Sequence, residues 1–182
     1  MKYLIRIIDL INEWSGRAVM WLALILFATT AYETMQRYLF RMTSVALQES
    51  TWHLYSLLFL LGMAYTLKHD RHVRVDIFYD RMSDRQKAGV DLFAILVLIL
   101  PFCLLMIGFS WKFMLTAYQI GERSGDPGGL SARWILKAAI PAGFSLLLLQ
   151  GISEILKNLF VLFQDKKITP TPQKDVGEKG AA

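Results

Sequence analysis

The chain has 182 residues, 54% of them hydrophobic and 19% charged, with a mean hydropathy of +0.38; apolar residues gathered into blocks of this kind exclude an ordinary water-soluble domain. The net charge of +5 does not signal a nucleic-acid partner, because the basic residues sit at the edges of the apolar blocks. The one cysteine, Cys103, can close no internal disulfide and reads as a small buried hydrophobe.

In residues 1–16, Leu4, Ile7, Ile8, Ile11 and Trp14 recur at helical spacing, while Arg6, Asp9, Asn12 and Glu13 fill the other side. That pattern predicts an amphipathic helix lying in the membrane interface. Charges interrupt every apolar run before Ala18, which argues against a signal peptide. A first membrane span is predicted at about 18–39. It carries Glu33 and Arg37 four residues apart, hence on one face. They form either an ion pair that neutralises itself inside the membrane or a contact with a partner protein.

Residues 40–46 make a short turn, so the second span, about 47–67, returns antiparallel beside the first. About twenty residues at ~1.5 Å each cross a hydrocarbon core of roughly 30 Å. This span opens on Glu49 and Trp52 and leaves through Lys68, Arg71, Arg74 and Asp76. Ser83 and Gln86 have the spacing of a helix start. The third span, about 90–111, has Pro101 in its middle, which predicts a kink. GERSGDPGGLS, Gly121 to Ser131, is a turn-rich loop. The fourth span, about 135–155, places Gln150, Glu154 and Lys157 close to one face near its far end. Residues 164–182, with Pro170, Pro172 and scattered charges, read as a disordered tail. The expected fold is therefore an all-α integral membrane protein. An interfacial helix (1–16) precedes a domain of four transmembrane helices (17–163) and the tail.

Four spans put both termini on one side. Of the 20 Lys and Arg, fourteen fall on the side of the termini and the 68–87 connection, and six on the other. The excess of positive charge on cytoplasmic segments then places both termini and that connection in the cytoplasm, and the Gly121–Ser131 loop outside.

No phosphate-binding glycine loop, nucleophile elbow or Cys/His metal spacing is present, so neither an enzyme nor a cofactor is expected. A haem-binding membrane subunit needs histidines on facing helices. Here His53, His69 and His72 fall within one stretch, and His53 and His69 would be ~24 Å apart along a single helix. The span centres are Leu, Ile, Phe, Ala and Met, with nothing to coordinate an ion or a carboxylate. That argues against a complete carrier, which needs a polar site near mid-membrane. A membrane subunit that supports something else remains. A membrane anchor or electron-transfer subunit of a redox complex is the alternative.

Several runs carry a resemblance. They are QRYLF (Gln36–Phe40), Glu49 at the opening of the second span, FLLGMAY (Phe59–Tyr65) and HVRVD (His72–Asp76), in order between Asp9 and Phe160. In these the chain resembles the small, DctQ-type membrane subunit of tripartite ATP-independent periplasmic (TRAP) transporters. GDPGGLSARWILKAAIP (Gly125–Pro141) and LQGISEILK (Leu149–Lys157) are similar to the branch associated with mannitol or chloroaromatic compounds. The resemblance implies a bacterial inner-membrane protein, surrounded by lipid, that works with two partners. One is a large permease subunit on a separate chain, which carries substrate and sodium and moves as an elevator. The other is a periplasmic protein that captures the substrate, an organic anion. The small subunit enlarges the static scaffold and helps dock the delivery protein.

On this basis the residues divide as follows. Glu49 joins a local network with Arg37 or Arg41, or meets the large subunit or the delivery protein. His72, Arg74 and Asp76 set topology and cap the following helix, or fix the small subunit against the large one. Glu122, Arg123 and Asp126 belong to an outward loop suited to docking the binding protein.

Overall fold

The computed structural model describes residues 2–69 and 82–164. His72, Arg74, Asp76 and the tail from 165 onward lie outside them. The described residues are helical throughout, apart from turns and loops, and contain no strand. The elements are α1 (Lys2–Leu39), α2 (Val45–Lys68), α3 (Asp84–Ala94), a π-helical turn (Ile95–Ile99), α4 (Leu100–Gln119) and α5 (Trp134–Gln164). Among the described residues, three stretches are long and apolar enough to cross a membrane: Tyr3–Leu39, Arg85–Gln119 and Trp134–Phe163. Helix α2 is not among them, since Glu49, His53, Ser50, Thr51 and Lys68 dilute its apolar run.

Local chemistry explains the boundaries. Ser44 caps α2 by accepting the Leu47 N–H. Ser83 and Gln86 complete a capping box at the start of α3, each side chain bonding the other's backbone N–H. The turn Ile95–Ile99 ends two residues before Pro101. A proline in a regular helix has no N–H and crowds the carbonyl four residues back; here the Leu100 N–H reaches back five residues to Ile95. The wider turn absorbs the disturbance, so α3, the π turn and α4 run on as one rod.

One expectation differs in form. No boundary appears near residue 16: α1 is a single helix of 38 residues. Its start is not turned with its polar side to water. Asn12 is buried and Asp9 and Glu13 are partly buried, whereas Tyr3, Leu4, Leu10 and Trp14 face outward. The reason is packing: the polar side of this segment meets polar side chains of α5 and α2.

Helix α5 is the hub and packs against every other described helix. The buried cluster Leu67, Cys103, Phe144 and Leu147 joins α2, α4 and α5, with Leu60, Met63, Ile99 and Ile140 around it. Phe102 meets Phe144 edge-on, ring centroids 5.5 Å apart. Most other large apolar side chains point outward on α1 and α4, as expected of helices whose solvent is lipid. Glycines set the tightest approaches. A Cβ on Gly143 would lie 2.5 Å from the Leu60 carbonyl oxygen, and one on Gly16 would enter the Tyr65 ring. Small residues of this kind let helix backbones close up where lipid supplies no hydrophobic drive.

Gly143→Ala should therefore push α5 from α2 and cost about 1–3 kcal/mol, the usual penalty of overpacking. Gly108 has nothing within 4 Å of such a Cβ. Gly108→Ala should be neutral, or stabilising by up to about 1 kcal/mol. Thermal unfolding of both variants in one detergent separates them; equal shifts would deny that the Gly143 approach limits packing.

Candidate functional site

The polar side chains of the bundle gather at its two ends. At one end Glu49, in the first turns of α2, is 5% exposed. Its carboxylate accepts from the Ser124 hydroxyl and from the Leu130 N–H at 2.6 Å. Both donors belong to the loop between α4 and α5. Arg133 is close enough to act on it electrostatically, and His53 Nδ1 lies 2.6 Å from the Glu49 carbonyl oxygen.

The loop has a defined path. Gly121 takes the left-handed conformation (φ +58°) just after α4. The Gly121 N–H bonds the Tyr118 carbonyl and the Glu122 N–H bonds the Ala117 carbonyl, the double closure that ends many helices at a glycine. Asp126-Pro127-Gly128-Gly129 makes a tight turn, closed by the Gly129 N–H on the Asp126 carbonyl at 3.0 Å, with Gly128 at φ +81°. The Ser124 N–H meets the Leu130 carbonyl and the Arg133 N–H the Glu122 carbonyl, drawing the two arms together. Gly129 presses on the anchor: a Cβ there would lie 2.5 Å from Ser124 Oγ and 2.9 Å from Glu49 Oε2.

The residues singled out from the sequence are placed as follows. Glu49 bonds the loop rather than Arg37 or Arg41, because the loop offers donors aimed at its carboxylate. Glu33 lies 2.7 Å from Arg37, and its other oxygen accepts from Thr51 of α2 at 3.3 Å. Glu122 is not a free charge: it pairs with Lys137 one turn into α5. Arg123 and Asp126 are exposed on the loop. His72, Arg74 and Asp76 are outside the described residues.

At the opposite end is a network that sequence reading found only in halves. The Asp9 carboxylate accepts from Ser153 at 2.9 Å and from Gln150 at 3.1 Å, and pairs with Lys157 at 2.9 Å. The buried Asn12 amide donates to Gln150 at 2.8 Å, and Lys157 also holds Glu154 at 2.9 Å. Next to it, Glu13 takes Lys68 at 2.7 Å, His69 at 3.2 Å and Arg17 at 3.4 Å. The signal was there as two stripes: residues 9, 12 and 13 on α1, and 150, 153, 154 and 157 on α5. Only the pairing of the stripes, some 140 residues apart, was hidden.

Among the described residues, no three His, Cys, Asp or Glu side chains are grouped to hold a metal ion. The site is thus a pair of polar clamps at the ends of an apolar bundle, the build of a multi-pass membrane protein. The family model described as "Tripartite ATP-independent periplasmic transporters, DctQ component" matches residues 11–160, and the chain belongs to this family of small permease subunits of the inner membrane. In such systems the small subunit works with a large permease and a binding protein. A search among curated proteins found no match.

Removing the carboxylate tests the anchor. Glu49→Ala leaves the Ser124 hydroxyl and the Leu130 N–H unpaired, at a cost of about 1–3 kcal/mol. Hydrogen exchange across 121–131 should quicken by roughly 5–150-fold, while exchange in the middle of α5 stays as it was. Unchanged exchange in the loop would mean that Glu49 does not hold it.

Proposed function

We propose that this chain is the non-catalytic small permease subunit of a sodium-coupled importer of an organic anion, a carboxylate, and that it acts as static scaffold for the large, elevator-type subunit. The observation that carries this reading is the sorting of charge. On α1 no acidic or basic side chain lies between Arg17 and Glu33, on the α3–α4 rod none between Asp91 and Lys112, and on α5 none between Lys137 and Glu154. On α2 only His53 lies between Glu49 and Lys68. Within each clamp the charges pair with one another, and the spans carry no charged side chain at mid-depth to bind sodium or a carboxylate. Selective transport therefore falls to the partner.

The same sorting supports α2 as a fourth span. Glu13 to Glu33, Glu49 to Lys68 and Lys137 to Lys157 are each about 28–30 Å apart along their helices, close to the roughly 30 Å of hydrocarbon. Both termini are assigned to the cytoplasm from the distribution of Lys and Arg. Residues 121–131 are then periplasmic, where exposed Arg123 and Asp126 would meet the binding protein, with Glu49 and Gly129 setting the loop's shape. His72, Arg74 and Asp76 are assigned from sequence to the contact with the large subunit.

Three experiments test this. Cysteines at Gly125 and Ser83 should label from opposite sides of the membrane in intact cells, Gly125 from outside; labelling of Ser83→Cys by an impermeant reagent would invert the orientation. In liposomes the chain alone should not take up substrate, while the chain with its large subunit and binding protein should show sodium-dependent uptake. Arg123→Glu should lower uptake on the order of tenfold at limiting binding protein and low salt, since charges at an interface rim act on association rate. Excess binding protein should restore it. Sodium-driven uptake by the chain alone would overturn the scaffold reading.

A further inference from the structure

Helices α2 and α4 both lean on α5 but barely touch each other. Between them, at the loop end, an open cleft of about 400 Å³ is lined by Glu122, Arg133 and Lys137 and by Leu60, Leu136, Ile140, Ser56 and Phe113. The Lys137 ammonium, paired with Glu122, lies 3.8 Å from the Phe113 ring centre. The Arg133 guanidinium lies 5.6 Å from the Trp52 ring centre. Trp134, next to Arg133 in the chain, meets Tyr118 edge-on, ring centroids 5.3 Å apart, and Trp and Tyr favour the depth of lipid headgroups. The cleft thus has an end carrying both signs of charge at headgroup depth, above an apolar floor.

The geometry points to a bound phospholipid with a primary-amine headgroup: its phosphate is held by Arg133 and Lys137, its ammonium is received by Glu122, and the upper part of one acyl chain lies over Leu60 and Ile140. Arg and Lys bind phosphate through charge-assisted hydrogen bonds. The Glu122 carboxylate decides which headgroup fits. It accepts hydrogen bonds from a primary ammonium, finds no N–H on a trimethylammonium, and repels a headgroup of net negative charge. The cleft takes the headgroup and the first stretch of chain, and the rest of the lipid lies in the bilayer. This assignment does not depend on the transport reading or on the orientation of the chain.

The test uses the full chain, purified in detergent, stripped of lipid and offered dioleoyl phosphatidylethanolamine, phosphatidylcholine or phosphatidylglycerol, with bound lipid counted by native mass spectrometry. The native chain should retain phosphatidylethanolamine about tenfold over phosphatidylcholine, the difference expected for hydrogen bonds to a charged group, and should also prefer it to phosphatidylglycerol. Glu122→Leu should erase the preference for the amine and raise retention of phosphatidylglycerol. Leu136→Trp, which fills the cleft and leaves the charges in place, should lower retention of all three. Equal retention of the three lipids by the native chain, tighter binding of phosphatidylglycerol, or unaltered retention in Leu136→Trp would overturn the assignment. If Glu122→Leu fails to fold, the native lipid order and Leu136→Trp still decide the matter.

Discussion

A carboxylate taken out of water loses solvation that only hydrogen bonds or opposite charge can replace. Glu49 faces that demand at the start of α2, and the loop before α5 meets it with the Ser124 hydroxyl and the Leu130 N–H. The dependence runs both ways. The loop contains four glycines and a proline and has little apolar content to fold around, so a buried acceptor is what fixes its path. Gly129 is small enough to let the two meet. The shape of the loop is consequently a property of α2 as much as of the loop itself.

The opposite end solves the same problem with more members. Asp9, Glu13 and Glu154 are matched by Lys157, Lys68 and Arg17, with Gln150, Ser153 and Asn12 filling the positions between. Among the described residues, one buried acceptor, Asn12 Oδ1, has no hydrogen-bond partner. Because this network consumes the polar side of the first turns of α1, the apolar side is left facing out. A helix that reads from sequence as amphipathic and lipid-surface-bound is thereby stitched to the bundle by its polar stripe.

Much of this was legible in the chain. Apolar blocks, capping residues and turn signals gave the helical membrane class, and the runs from Gln36 to Asp76 pointed to the family. The ends of the helices were less legible. Hydropathy marks where charge begins, whereas backbone hydrogen bonding continues past that point, so the third span read as 90–111 sits in a rod running from Asp84 to Gln119. Local pairs are within sequence reach: Glu33 and Arg37 are four residues apart. The partners of Glu49 are 75 and 81 residues away, and those of Asp9 more than 140, and only the packing of helices brings them together.

Helix α1, with its 38 residues, is about 57 Å long, nearly twice the roughly 30 Å of hydrocarbon it would cross. A rod of that length cannot shorten to suit a thinner bilayer; the accommodation falls to tilt and to deformation of the surrounding lipid. Tilt is shared, because the Tyr65 ring seats on Gly16 and Leu60 abuts Gly143, so α1, α2 and α5 lean as one block. A thinner bilayer is then met by a lean of the whole block together with deformation of the lipid around it, and a neighbour packed against this face inherits both.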